Sequence, residues 1–232
     1  MSLSTDLKEL LVSKGATEVG FANLKGLENV PDTMPNAVSI LIKFPAEIIN
    51  TIQEYPTKIY IDKLLEINDI LDDILLAGED FLKKEGYNAY GQTKPRTVVE
   101  DDKRSKIPYK TAATRAGLGW IGKCALLVNP HYGSAVRIAS IYTDAPLDFG
   151  KPVKQSYCGE CDACVKACPG DACTGVDWHE GVDRNELYNQ KKCGDKALEL
   201  SILKTGIDHY YCGKCIIVCP FTVKYLKKEL KK

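Results

Sequence analysis

The chain has 232 residues, which is enough to bury a hydrophobic core without disulfide cross-links. Lys plus Arg and Asp plus Glu are equal at 31 each, so no overall field favours nucleic acid or an anionic membrane as the partner. The first residues lack the apolar core and cleavage site of a signal peptide, and no apolar run approaches the ~20 residues that span a bilayer. We therefore expect a cytoplasmic protein with no membrane partner.

The first half of the chain predicts alternating helices and short strands. A helix capped by Ser4 is expected to end at Gly15, followed by strands at residues 18–22 and 37–44, the second of which (AVSILIKF) reads as buried. From residue 59 to residue 84, apolar residues recur at helical spacing opposite an acidic stripe, which we interpret as a solvated face. Gly86 ends this helix.

The next segments predict a short strand at residues 87–91, a loop over 92–107 and a helix over 109–116. Two further strands, at residues 124–128 and 134–143, are joined by the turn sequence NPHYG. Because the elements do not follow a strict βαβ order, they favour an α+β class. A Pro- and Gly-containing linker near residue 150 predicts two domains, 1–150 and 151–232.

Nine of the ten cysteines lie after residue 157, in a chain without an export signal. The run Cys158-Gly-Glu-Cys161-Asp-Ala-Cys164-Val-Lys-Ala-Cys168-Pro169 has the spacing C-x2-C-x2-C-x3-C-P that is typical of bacterial ferredoxins. In that arrangement the fourth cysteine starts a helix, with Pro169 in its first turn, and binds the other cluster. The motif predicts two [4Fe–4S] clusters in a ferredoxin-like domain.

The second motif, Cys212-Gly-Lys-Cys215-Ile-Ile-Val-Cys219-Pro220, is one cysteine short. Ferredoxin pairing assigns the first cluster to Cys158, Cys161, Cys164 and Cys219, and gives the second Cys168, Cys212 and Cys215. The missing ligand is Cys193 or Cys173. We prefer Cys193, because it precedes a helical pattern in a loop, whereas Cys173 would lie in the helix begun by Cys168.

Cys124 and Cys173 are interpreted as ordinary thiols, Cys124 being buried in a strand. Zinc is disfavoured because three cysteines crowd within seven residues and the pattern recurs. Disulfides are disfavoured by the tight spacing and by a reducing compartment.

The segment KTAATRAGLGWIGKCALLVNPHYGSAVRIASIYTDAPL, from Lys110 to Leu147, precedes the two motifs and the lone Cys193. Together they resemble the epoxyqueuosine reductase family, cobalamin-dependent iron–sulfur enzymes related to reductive dehalogenases. The resemblance implies a flavin-reductase or nitroreductase-like N-terminal domain, cobalamin as a cofactor between the domains, and Cys193 as a ligand of the second cluster. It places these cofactor-binding residues along the glycine-spaced segment: Gly117, Gly119, Trp120, Gly122 and Lys123. A purely structural turn is the alternative for them.

Two departures from the family pattern shape the expected site. Full-length family members carry a C-terminal helical-repeat region that engages tRNA, and without it we do not expect direct tRNA binding. The family's catalytic Asp has no counterpart in DDKRSKIPYK, where Ser105 stands three residues before the proline. Asp101, Asp102 and Tyr109 are the nearby candidates for the proton donor, and each can also be read as a loop or surface residue.

The leading hypothesis is an iron–sulfur oxidoreductase that receives electrons from a donor protein and passes them to cobalamin or a substrate. The alternative is a ferredoxin-type electron-transfer module that reduces a partner protein and has no substrate of its own. A third interpretation, an RNA-binding protein with a structural metal, depends on the lysine-rich sequence FTVKYLKKELKK. It is the weakest, because the net charge is zero and no aromatic and basic platform is present.

Overall fold

The computed structural model describes residues 2–53, 55–97 and 109–231. The chain divides into two compact units, and the predicted boundary at residue 150 lies close to a change of unit at Val153. The second unit also takes in two segments that precede residue 150. The first unit comprises Met1–Ile42, Ile67–Leu118 and Arg137–Val153, and the second comprises Lys43–Glu66, Gly119–Val136 and Lys154–Lys232.

Helices and short strands are mixed along the chain, in agreement with the predicted α+β class. In chain order the elements are α1 (Leu3–Ser13), β1 (Glu18–Asn23), β2 (Asn36–Lys43), α2 (Ala46–Ile49), α3 (Lys58–Lys84), β3 (Ala89–Gly91), α4 (Tyr109–Arg115), β4 (Trp120–Ile121), β5 (Leu127–Val128), β6 (Val136–Thr143), α5 (Ala163–Lys166), α6 (Arg184–Leu187), α7 (Gln190–Thr205), α8 (Lys214–Ile217) and α9 (Pro220–Glu229).

A four-stranded sheet in the order β1-β2-β6-β3 forms the centre of the first unit. Strands β1 and β2 pair antiparallel, with Phe21 opposite Val38, and β3 pairs antiparallel with β6, with Tyr90 opposite Tyr142. The apolar run in β2 predicted a buried strand, and every residue of β2 except Lys43 is buried. β2 lies between β1 and β6 in the sheet, so both of its edges are paired.

The long helix α3 confirms the predicted amphipathic pattern. Most of its apolar positions are buried, whereas most of the acidic positions of the stripe are exposed, as at Asp62 and Glu66. The N-cap predicted for α1 was two residues off, because Ser2 rather than Ser4 accepts a hydrogen bond from the Thr5 N–H. Ser4 is buried and its Oγ accepts from the N–H of Asp148 at 2.8 Å instead.

The segment Lys43–Glu66 is attached to the C-terminal part of the second unit by hydrogen bonds. The Tyr225 hydroxyl in α9 donates to the Phe44 carbonyl at 2.7 Å, and Lys214 Nζ donates to the Gln53 carbonyl at 2.7 Å. Thr222, Tyr225 and Leu226 are buried, so one face of the lysine-rich helix α9 is packed. None of the helices in the described ranges is long and apolar enough to cross a membrane.

A buried carboxylate in the first unit joins α3 to the segment after it. Glu79 is 5% exposed, and its oxygens accept from Lys83 Nζ at 2.5 Å, Arg96 at 2.6 Å and the Gly91 N–H at 2.7 Å. Burial by itself would raise the pKa of Glu79, but the hydrogen bonds from Lys83, Gly91 and Arg96 outweigh it and lower the pKa. The carboxylate is therefore stabilised in its charged form.

We predict that Glu79→Gln lowers the free energy of unfolding at pH 7 by about 1–3 kcal/mol, because bonds to a charged group are lost. The folded-state pKa lies below the ordinary value of 4.5, so this contribution is complete above that pH and is lost as the pH falls through the lower folded-state pKa. Denaturant unfolding at several pH values measures the difference. The exposed Glu85→Gln is the matched control, and an equal effect of both variants would contradict the prediction.

Candidate metal centre

The two cysteine motifs fold alike, each as a loop that leads into one turn of helix. In the first, the Cys161 N–H donates to the Cys158 carbonyl at 3.1 Å, and Cys164 lies in α5. In the second, Gly213 adopts a φ of 78° and α8 follows with Cys215. Because α5 and α8 pack against each other, the two motifs meet at these helices.

The motifs differ after their last cysteine, and here one prediction was wrong. Pro220 begins α9 directly after Cys219, but no helix begins at Cys168. The chain turns there instead, with Asp171 at a φ of 45°, its N–H donating to the Cys168 carbonyl at 3.2 Å, and the Ala172 N–H donating to Cys168 Sγ at 3.3 Å. Gly and Asp favour turns, which explains why Pro169 does not start a helix.

The cysteines predicted for the second cluster lie near one another. Cys193 belongs to the first turn of α7 rather than to a loop. Partial burial of its thiol, followed by the nearby sulfurs of Cys215, Cys168 and Cys212, raises the pKa of Cys193 to about 11. Of the two candidates for the missing ligand, Cys193 is thus the one with all three of these sulfurs as neighbours.

Two cysteines predicted for the first cluster also meet, although they come from different motifs. Burial raises the pKa of Cys219, and the sulfur of Cys158 raises it further. Cys161 is joined to Cys158 through the loop hydrogen bond. The structure therefore brings the last cysteine of the second motif to the beginning of the first, as ferredoxin-type ligation requires.

Cys124 and Cys173, both interpreted as ordinary thiols, lie next to the predicted ligands. Cys124 is buried as predicted, but it lies in a turn rather than in a strand, and its thiol is within hydrogen-bonding reach of Cys164 and Cys215. Cys173 forms a β-bridge with Tyr188 outside any helix. Hydrogen bonds with Cys124 and then Cys173 lower the pKa of Cys164 to about 3. The motif spacing contained no signal for either contact.

The donor set fits [4Fe–4S] clusters. None of the ten cysteines is in a disulfide. Within the described parts of the chain, no three His, Cys, Asp or Glu side chains converge closely enough to hold a single metal ion. A cubane cluster takes one thiolate at each of its four irons, so its ligands surround a larger body than one ion.

A hairpin formed by β4 and β5 lies against the cysteine loops. Trp120 is 4% exposed and makes edge-on contacts with Tyr157 at 5.3 Å and Phe221 at 4.9 Å between ring centroids. A Cβ at Gly119 would stand 2.2 Å from the Val128 carbonyl oxygen, so only glycine allows the two strands to approach. A Cβ at Gly122 would lie 2.9 Å from the Val128 side chain and 3.5 Å from Cys158 Sγ.

Lys123 follows at the tip of this hairpin and is 8% exposed. Its Nζ donates to the Gly159 carbonyl at 2.7 Å and stands 3.7 Å from Asp177 Oδ2. Among the predicted cofactor-binding residues, Trp120, Gly122 and Lys123 thus adjoin the cysteine motifs. Gly117 belongs to the first unit, where a Cβ would lie 2.9 Å from the Lys151 carbonyl oxygen.

The candidates for the proton donor are only partly within the described residues. The Tyr109 hydroxyl shares a hydrogen bond with Thr97 Oγ1 at 2.6 Å and donates to the Gln92 carbonyl at 3.2 Å. Burial raises the pKa of Tyr109, so its proton is firmly held. Asp101, Asp102 and Ser105 lie outside the described residues.

Comparison with protein-family models identifies residues 157–222 as a 4Fe–4S double cluster binding domain. This range contains the two cysteine motifs and Cys193, and it excludes Cys124. The comparison establishes that the cysteine-rich part of the chain is of the type that binds two such clusters.

Comparison with curated proteins finds epoxyqueuosine reductases. The enzyme of Leadbetterella byssophila is 48% identical over 114 residues, which are 48% of this chain and 36% of the relative. That of Francisella cf. novicida is 37% identical over 122 residues, which are 47% of this chain and 30% of the relative. The chain spans about a third of the length of these curated relatives.

Comparison with solved structures extends the likeness in fold to nearly the whole chain. A catabolic reductive dehalogenase in complex with 3-bromo-4-hydroxybenzoic acid matches with a TM-score of 0.74 and 20% identity, over 97% of this chain and 33% of that chain. An epoxyqueuosine reductase with a tRNA stem loop matches with a TM-score of 0.64 and 21% identity, over 95% and 65%. The matching domain, the sequence identity over about half of the chain and the shared fold agree: the chain contains a double cluster binding domain and is similar to epoxyqueuosine reductases.

Proposed function

We propose that this protein is an oxidoreductase that relays low-potential electrons through two [4Fe–4S] clusters to an acceptor. The proposal rests on one observation: cysteines from the two motifs and from α7 lie near one another within a double cluster binding domain. When bound, each cluster supplies the reversible storage of one electron. An electron-donor protein completes the cycle, because the clusters must be reduced again after each transfer.

The proposed ligand sets follow the ferredoxin-type pairing of the two motifs, and the sulfurs that neighbour Cys193 and Cys219 support them. The second set gathers around Cys193, and the first joins Cys158 to Cys219 across the two motifs. The sets are Cys158, Cys161, Cys164 and Cys219 for the first cluster, and Cys168, Cys193, Cys212 and Cys215 for the second.

The chain brings the two sets next to each other. Cys164 of the first set and Cys215 of the second lie in the packed helices α5 and α8, and Cys124 is within hydrogen-bonding reach of both. Because α5 and α8 pack together, the path that an electron takes between the two sets is short. This arrangement suits a relay better than two independent centres.

The proposed acceptor is cobalamin, and the proposed fold of the first unit is of the flavin-reductase or nitroreductase type. The likeness to reductive dehalogenases supports the acceptor, since one such structure, with a TM-score of 0.73, is described as suggesting a mechanism for B12-dependent dehalogenation. The four-stranded sheet flanked by helices supports the fold. A corrinoid would accept electrons one at a time from the clusters and would allow chemistry that needs two electrons.

We predict that anaerobically reconstituted protein binds about eight irons and about eight sulfides per chain, as two cubane clusters require. Its broad absorbance near ~400 nm should be bleached by dithionite, because the clusters accept electrons. Added cobalamin should bind and be reduced by the clusters. Protein without iron would contradict the proposal. Intact clusters that neither bind nor reduce cobalamin would overturn the corrinoid assignment and favour a ferredoxin-type module that reduces a partner protein.

A second prediction concerns the fourth ligand of the second cluster. Cys193→Ser should lower the iron content to about four per chain or leave a three-iron centre, because a corner ligand is lost. Cys173→Ser is the matched control and should retain about eight irons, as two intact cubanes require. Iron analysis together with electron paramagnetic resonance measures both variants. The reverse result would assign Cys173 as the ligand.

A further inference from the structure

A buried positive charge adjoins the first cysteine motif. The Lys123 side chain is 10% exposed, and its Nζ lies 2.7 Å from the carbonyl oxygen of Gly159, the residue that follows Cys158. Lysine is rarely buried, because removing an ammonium group from water is costly. The hairpin holds the group there through the packing of Trp120, so its position is fixed by the fold.

The carboxylates around Lys123 compensate its charge only in part. Asp177 Oδ2 is 3.7 Å away and the Asp177 side chain is 52% exposed, so water screens this ion pair. Asp162, at the other side of the motif loop, pairs with Lys166 at 2.9 Å. Lys166 is itself 76% exposed, which makes it a solvent-screened lysine beside the same motif.

A charge buried beside a redox centre acts on its reduction potential. Adding an electron makes a cluster more negative, and a nearby positive charge stabilises that reduced state more strongly where the dielectric is low. A buried lysine therefore raises the potential of a neighbouring cluster, whereas an exposed lysine at similar range is screened. The sign of the effect follows from the charge alone.

We propose that Lys123 is a positioning residue that raises the reduction potential of the first [4Fe–4S] cluster by holding an ammonium group at the loop between Cys158 and Cys161. Asp177 moderates the effect from the solvent side. The inference rests on the proposed function, because it requires a cluster bound at this motif. It gives Lys123 a role at the clusters, distinct from the corrinoid contact that the family resemblance implies.

The test is an anaerobic redox titration of the cluster-loaded protein, followed by electron paramagnetic resonance, with iron and sulfide content measured on each sample. Lys123→Gln keeps a hydrogen-bond donor but loses the charge, and one of the two midpoint potentials should become more negative while the other is unchanged. Lys123→Arg should keep both potentials near those of the unmodified protein. Asp177→Asn should shift the same potential in the opposite direction and by less, because water partly screens Asp177, and the more exposed control Lys166→Gln should shift neither.

The possible failures are distinguishable. Unmodified protein that binds no clusters would contradict the proposed function. Fully loaded Lys123→Gln with unchanged potentials would overturn the role of Lys123 and leave the proposed function intact. If Lys123→Gln does not retain the first cluster, Lys123→Met decides, because it also removes the charge and has a side chain of similar length: an unchanged potential overturns the inference, and a more negative one supports it.

Discussion

The packing of Trp120 is the contact on which the arrangement of the second unit depends. Its indole ring meets Tyr157, which precedes Cys158, and Phe221, which follows Cys219 by two residues. Edge-on aromatic contacts contribute about 0.5–1.5 kcal/mol each beyond the burial of their area. The Trp120 side chain thus connects the hairpin to both ends of the cysteine-rich region, where the two motifs must meet.

Two glycines allow the hairpin of β4 and β5 to approach the cysteine motifs closely. Glycine at position 119 lets the chain pass against Val128, and glycine at position 122 leaves room beside Cys158 Sγ. The tip then brings Lys123 and Cys124 to the cysteine loops. The glycines of this segment, which the family resemblance connects with a cofactor, therefore have a local reason in the packing of the hairpin and the motifs.

Features encoded locally could be predicted from the sequence, and those set by tertiary contacts could not. Helix α3 and strand β2 were predicted nearly to their ends, because apolar periodicity and a continuous apolar run report burial directly. The second motif lacks one ligand, and this gap predicted that Cys193 would lie near Cys168, Cys212 and Cys215. The turn after Cys168 was missed because the left-handed conformation of Asp171 overrides the helix-starting signal of Pro169. The position of Cys124 was missed because it depends on where the hairpin packs.

The crossed ligand sets have a consequence for how the proposed clusters assemble. The first set needs Cys219 from the end of the region, and the second needs Cys168 from its beginning and Cys193 from α7. Neither set is complete until the chain between residues 158 and 219 has folded, because an unfolded chain does not hold distant thiolates together. Binding of each cluster therefore stabilises the same fold that positions the ligands of the other. The hairpin that carries Trp120 contributes no proposed ligand, yet it holds the two ends of that region together, so the stability of the centre extends beyond its cysteines.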